Sequence, residues 1–304
     1  MSIRRHAIAF LASLAVLSIC APTQAQEKLR VLATFSILGD LVKNVGGDRV
    51  EVTTLVGPNS DAHVYSPAPA DAKRVAAAKV IITNGLGFEG WMARLVRASG
   101  TKASPVVATN GIKPRKQAGQ SHAGHSHDST DPHAWQSVAN AKVYVANILA
   151  ALIAADPDGK AVYEANAKAY SEKLDALDKE VREAVAAIPQ ERRRIITSHD
   201  AFGYFQAAYG IEFIAPQGVS TESEASARDV GRIITQIKRQ KIPAVFLENV
   251  TDPRLIQRIA AESGAKVGGQ LYSDALTDEK GAAPTYIDMI RHNVRQLVSA
   301  LATS

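Results

Sequence analysis

The chain has 304 residues, of which 46% are hydrophobic and 21% charged, with a formal net charge of +5. That length is ample for a large core and suggests two domains. The charge is too mild, and basic–aromatic clustering too sparse, for a nucleic-acid partner. The lone cysteine, Cys20, leaves no internal disulfide and no thiolate metal site in the chain beyond it.

Residues 1–25 read as an export signal. Arg4 and Arg5 supply the charged start, and Ala7 to Cys20 is an apolar run too short to span a bilayer. Thr23-Gln-Ala25 offers small residues at a cleavage site, so cleavage after Ala25 is expected. The residue before Cys20 is Ile19, where lipidation calls for a small side chain. A cleaved leader and a soluble periplasmic protein, with no further long apolar stretch, are therefore expected.

From residue 26 to 155 the sequence alternates strand and helix signals, defining an N-terminal α/β lobe. Lys28–Thr34, Val50–Val56, Lys79–Thr83 and Pro105–Ala108 are short Val/Ile-rich runs, with Ala/Leu-rich stretches such as Ser36–Val45 and Pro69–Ala78 between them. Residues 113–131 form a polar, Gly/Ser/His-rich loop, and a helix is predicted from about His133 to Ala155. Asp156-Pro157 is a helix start, and Leu174, Leu177, Val181, Val185 and Ile188 follow at helical spacing up to Pro189. Residues 156–189 thus predict one long connecting helix. Residues 190–304 repeat the same grammar as a C-terminal lobe. Its strands are expected at Arg194–Ser198, Ile211–Ile214, Pro243–Glu248 and Lys266–Leu271, and its helices at Gly231–Gln240, Pro253–Ser263 and Thr285–Ala300. The fold class is α/β, with two doubly wound lobes of four parallel strands each and the functional cleft between them.

His63, His133, His199 and Asp274 each fall just after a predicted strand or at a helix start, 70, 66 and 75 residues apart. In open parallel sheets ligands gather beyond the carboxyl ends of the strands. Two of these residues come from each lobe, so they can meet only across a cleft. Three imidazoles and a carboxylate suit Zn²⁺ well, Cu²⁺, Ni²⁺ or Co²⁺ acceptably, Mn²⁺ less, and Ca²⁺ or Mg²⁺ poorly. Asp131 and Asp61 are alternative carboxylates, and Asp274 could instead cap a turn. Acceptors behind the imidazoles are expected, without a sequence signal for which residues provide them. His122, His125, His127 and Asp128 (HAGHSHD) form a candidate auxiliary metal loop. His292, among Arg291 and Arg295, reads as a surface residue.

Six stretches, in order, carry a resemblance. They are Thr34–Asp40 (TFSILGD), Gly57–Pro67 (GPNSDAHVYSP), Asn84–Trp91 (NGLGFEGW), Asp131–Trp135 (DPHAW), Ser198–Phe205 (SHDAFGYF) and Leu271–Asp274 (LYSD). Over nearly all of residues 28–300 the chain resembles the zinc/manganese solute-binding proteins that feed metal ABC transporters. The resemblance implies two α/β lobes joined by one long helix, with metal in the cleft. It places the family's first two histidine ligands on His63 and His133 and its last carboxylate on Asp274. The third ligand varies, and manganese-preferring relatives tend to carry Glu where this chain has His199. The similarity therefore implies a zinc-leaning protein, with Mn²⁺ as the alternative ion. It further implies a membrane permease as partner, with a periplasmic zinc chaperone as a candidate donor; a monomer is expected. Two rival functions are a zinc hydrolase, with Glu222 or Glu224 as base, and an adhesin. The first lacks an H-E-x-x-H motif and the second a good lipidation site.

Overall fold

The structure is a computed structural model, and it describes residues 27–116 and 130–302. The leader with its cleavage position, and the auxiliary loop residues His122, His125, His127 and Asp128, lie outside the described residues.

The first half forms β1 (Leu29–Phe35), α1 (Ser36–Gly46), β2 (Val50–Val56), α2 (Pro69–Ala77), β3 (Val80–Thr83), α3 (Met92–Ser99) and β4 (Val106–Val107). All its strands pair in parallel, in the order β2-β1-β3-β4. The central strands are continuous apolar runs because both their faces are covered. Ile37, Leu38, Leu41, Val42 and Val45 give α1 its buried stripe.

Two short strands follow, β5 (Arg115–Lys116) and β6 (Thr130–Asp131), paired antiparallel. The 113–131 loop expected from composition is therefore tied at its ends. Arg115 sits opposite Asp131, the residue that precedes the Pro132-His133 step. The helix expected from His133 also begins later. A 3₁₀ turn covers Ala134–Gln136, Ser137 is extended, and α4 runs Val138–Ala155. The expectation of no further long apolar stretch fails here, because α4 is itself an 18-residue apolar segment of mean hydropathy 1.6. It packs against α1 and, with Tyr144, Val145, Ile148 and Leu152 inward, serves as a core helix.

Asp156 opens a 3₁₀ turn at Pro157–Gly159, and α5 runs Lys160–Ala186. Asp156 is held there by the Arg49 guanidinium at 2.8 Å and the Tyr163 hydroxyl at 2.6 Å. At about 1.5 Å per residue α5 is a rod of roughly 40 Å. Its stripe of Tyr163, Ala167, Tyr170, Leu174, Leu177, Val181 and Val185 is buried. It touches α1 and α4 along its length and continues to the second half.

That half comprises β7 (Arg194–Ile196), α6 (Gly203–Tyr209), β8 (Glu212–Ile214), α7 (Ala227–Gln240), β9 (Ala244–Glu248), α8 (Pro253–Ser263), β10 (Lys266–Leu271) and α9 (Tyr286–Leu301). Its parallel sheet runs β10-β9-β7-β8. In each half the first strand lies between the second and the third, so one topology is used twice. Ser226, Asp252 and Thr285 cap α7, α8 and α9 with their side chains, which starts α7 earlier than its apolar stripe suggests. Helices α3 and α6 have no counterpart among the expected elements. Both are short, eight and seven residues, and too brief to show a clear period.

One apolar cluster runs from β1 and α1 through α4 and α5 to Phe205, Leu271, Met289 and Leu297. The far face of the second sheet has its own cluster, made with α7 and α8. The two halves therefore share a continuous core, and the carboxyl ends of both sheets carry the residues described next.

Candidate metal centre

His63 lies on the segment after β2, His133 just before α4, His199 after β7 and Asp274 after β10. These positions are far apart in sequence, yet four of their donor atoms lie within 4.8 Å of one another. His63 Nε2 is 3.2 Å from His133 Nε2 and 3.4 Å from Asp274 Oδ2. His199 Nε2 is 3.1 Å from Asp274 Oδ2, and His133 Nε2 is 3.5 Å from Asp274 Oδ1. Donors about 2.0–2.1 Å from one tetrahedral ion would sit about 3.3–3.4 Å apart. These four distances lie around that value, with His133 nearest Oδ1 of Asp274 and the other two histidines nearest Oδ2.

The local chain explains why the donors converge. Asp131 Oδ1 lies 2.9 Å from His133 Nδ1 and accepts the His133 backbone N–H at 3.0 Å. Glu248, the last residue of β9, stands behind His199 as an ion-pair partner of its ring and an acceptor for its backbone. Its Oε2 is 2.7 Å from His199 Nδ1, and its Oε1 accepts the N–H groups of Ser198 and His199 at 2.7 and 3.0 Å. Asp61 Oδ1 accepts the His63 N–H at 2.8 Å. The Trp91 indole N–H donates to Ala62 O at 2.8 Å and fixes the residue before His63. Across the cleft, the Trp135 indole and the Gln136 amide both donate to Ser273 O, at 2.9 and 2.7 Å. The segment after His133 thus anchors the one carrying Asp274.

A carboxylate at Nδ1 keeps the proton on that nitrogen and leaves the Nε2 lone pair bare. In His133 and His199 those lone pairs face each other and the Asp274 carboxylate. Phe88 stands edge-on to His63 with ring centres 4.7 Å apart, and Trp135 packs on His133 at 5.3 Å. Crowded electron pairs within an apolar wall call for a positive charge. Burial alone pushes the His199 imidazole down, but the Glu248 and Asp274 carboxylates outweigh it and hold it well above its ordinary value. Burial likewise raises Asp274, yet His199 and His133 hold it well below the usual carboxylate range. In the apo chain a proton meets the demand that a dication would meet.

All four residues named from sequence come together, and the two alternative carboxylates do not take a donor position. Asp131 and Asp61 stand behind His133 and His63 instead. Glu248 was not singled out from sequence. Its signal was available, a carboxylate ending a strand at the functional edge. Glu222 and Glu224 are exposed. His292 is half-buried rather than on the surface, with Nε2 3.0 Å from Gln270 O and its ring against Tyr272, away from this site.

Two parallel α/β halves joined by a long helix, with a His/Asp metal-binding site between them, define a metal-carrying solute-binding protein. The chain belongs to the ZnuA family, described as zinc-uptake complex component A, periplasmic, whose model matches residues 31–300. It is 36% identical over 277 residues to the manganese-binding lipoprotein MntA of Halalkalibacterium halodurans, covering 91% of this chain and 89% of that one. It is 35% identical over 288 residues to the iron-binding protein YfeA of Yersinia pestis, covering 95% and 91%. Among solved structures, the periplasmic zinc-binding protein TroA of Treponema pallidum superposes with a TM-score of 0.84 at 32% identity, covering 91% of this chain and all of that one. The chain is accordingly the substrate-binding component of a metal ABC importer, with a membrane permease as its partner, and is not an enzyme.

Proposed function

We propose that the chain captures Zn²⁺ through His63 Nε2, His133 Nε2, His199 Nε2 and Asp274, and surrenders it to the permease. One observation carries this reading. Three imidazole nitrogens and the Asp274 carboxylate lie within 4.8 Å of one another, with carboxylates behind two of the imidazoles. Soft or borderline nitrogen-rich sets of this kind favour zinc over manganese. The ion is the cargo, so a site without an open position for water is what delivery requires. In this reading the chain works in the periplasm as a monomer released from its leader after Ala25; Ile19, where lipidation calls for a small residue, is what speaks for release over anchoring at Cys20.

A second reading has its own support. Asp274 Oδ1 is buried without a hydrogen-bond partner and lies 3.5 Å from His133 Nε2. A second oxygen at the ion would raise the coordination number and make Mn²⁺ or Fe²⁺ more acceptable, and relatives are named for each of those ions. Zinc outcompetes manganese at most nitrogen–oxygen sites by intrinsic affinity, so uptake by the intact importer, not competition for the apo chain, separates the two readings. The zinc reading requires cells that depend on this chain to lose zinc accumulation when it is deleted and to regain it on complementation. Loss of manganese or iron accumulation with zinc uptake unchanged favours the second.

A further inference from the structure

Three of the four donor residues are fully buried, and His63, at 7% exposure, is the one that reaches the surface. The ion's path therefore runs past His63. Two bonds on a single carboxylate control the segment that carries it. Asp61 Oδ1 accepts the His63 backbone N–H, while Asp61 Oδ2 accepts the Thr221 hydroxyl at 2.5 Å, from the opposite half. The Thr221 segment is fastened in turn beside His199. The Gln217 N–H donates to Ser198 O at 3.3 Å, and the Asp200 N–H donates to Gly218 O at 3.1 Å. One side-chain hydrogen bond thus links the backbone at one ligand to the backbone flanking another, across the cleft.

The surroundings leave room for this link to open. A cavity of about 470 Å³ adjoins it, lined by Asp61, Val64, Thr221, Arg254 and Leu255 among others. Val64, next to His63, is 53% exposed. The shared core opposes a wide hinge motion of the two halves, so release falls to such segments. Neighbouring ties remain when the hydroxyl is removed. The Asn59 N–H still donates to Leu276 O at 2.8 Å, and Trp91 still holds Ala62.

We infer that Thr221 is a positioning residue for cargo release: through Asp61 its hydroxyl latches the His63 segment over the ion and limits the rate at which the ion leaves. This rests on the ligand assignment proposed above. A hydrogen bond to a carboxylate is among the stronger ones.

The test is stopped-flow kinetics on the full mature chain loaded with Zn²⁺, chased with an excess of chelator. Thr221→Val should release zinc roughly tenfold faster, and association should quicken too, since entry and exit share the path past His63. Thr221→Ser, which keeps the hydroxyl, should restore slow release, and the apo form of each variant should unfold at the parent's temperature. Unchanged release in Thr221→Val, or equally fast release in Thr221→Ser, overturns the latch. His63→Ala separates the two levels. If it abolishes tight binding while Thr221→Val releases normally, the latch is wrong and the ligand assignment stands. If His63→Ala binds zinc as the parent does, the assignment itself fails and the latch with it.

Discussion

Glu248 grips His199 twice, with Oε2 2.7 Å from the ring Nδ1 and Oε1 accepting the backbone N–H of the same residue at 3.0 Å. Asp131 holds His133 by the same two atoms, although through a single oxygen. One half of the molecule therefore repeats the other in how it presents a ligand, as it does in strand order.

Glu248→Gln tests the meaning of that grip. The glutamine oxygen can still accept the backbone N–H groups, so the turn survives. Its amide can donate to Nδ1, which moves the ring proton to Nε2 and blocks the donor atom. Metal affinity should fall about 10- to 100-fold, as measured by competition against a chromogenic chelator, with little change in apo unfolding temperature.

The pH dependence follows from the two shifted groups. His199 is raised, so its stabilising contribution to the apo chain is present below its unfolded value, near 6.5, and is lost as pH climbs through the folded value. Asp274 is lowered, so its contribution is present above its unfolded value of 3.8 and is lost as pH falls through the folded one. Metal must displace the His199 proton. Binding should therefore release protons at neutral pH, and affinity should rise with pH by up to about tenfold per unit below the raised value. Calorimetry in buffers of different ionisation enthalpy reads this directly. The metal-induced rise in unfolding temperature should also be larger at about pH 8 than at about pH 6.

Gly203, the first residue of α6, stands against the back of the site. A Cβ there would meet Asp131 Oδ2 at 2.5 Å, and the carboxylate would have to shift. Gly203→Ala should weaken metal binding by displacing the acceptor behind His133, by roughly tenfold. A chain with unaltered affinity would show that Asp131 can move without cost to the ligand.

His199→Glu replaces a nitrogen donor by oxygen at the ligand position that varies among relatives. Selectivity should shift toward Mn²⁺, read as the ratio of zinc to manganese affinities. Glu248 then faces a like charge instead of a ring N–H, so overall affinity for either ion should fall as well.

Legibility in the sequence divided along physical lines. Strands β1, β3 and β9 are dense in apolar residues, and α5 keeps its period over many turns, so both kinds of element were readable to within a few residues. The short helices α3 and α6 and the pairing of Arg115–Lys116 with Thr130–Asp131 depend on tertiary contacts that no local pattern announces. That His63, His133, His199 and Asp274 come together was readable because strand ends place them on one edge and the motifs around them are specific. Spacing alone left the carboxylate open among Asp61, Asp131 and Asp274, each within a few residues of a strand end or a candidate histidine, and the resemblance placed it on Asp274. Only the three-dimensional chain shows that Asp274 faces the histidines while the other two stand behind them.

Zinc carriage is tested most directly by the metal content of the chain purified from its native host, beside a His63→Ala form prepared in parallel. One zinc per chain is expected in the first and none retained through dialysis in the second. Manganese or iron in the native protein, or zinc held equally by both, would contradict it.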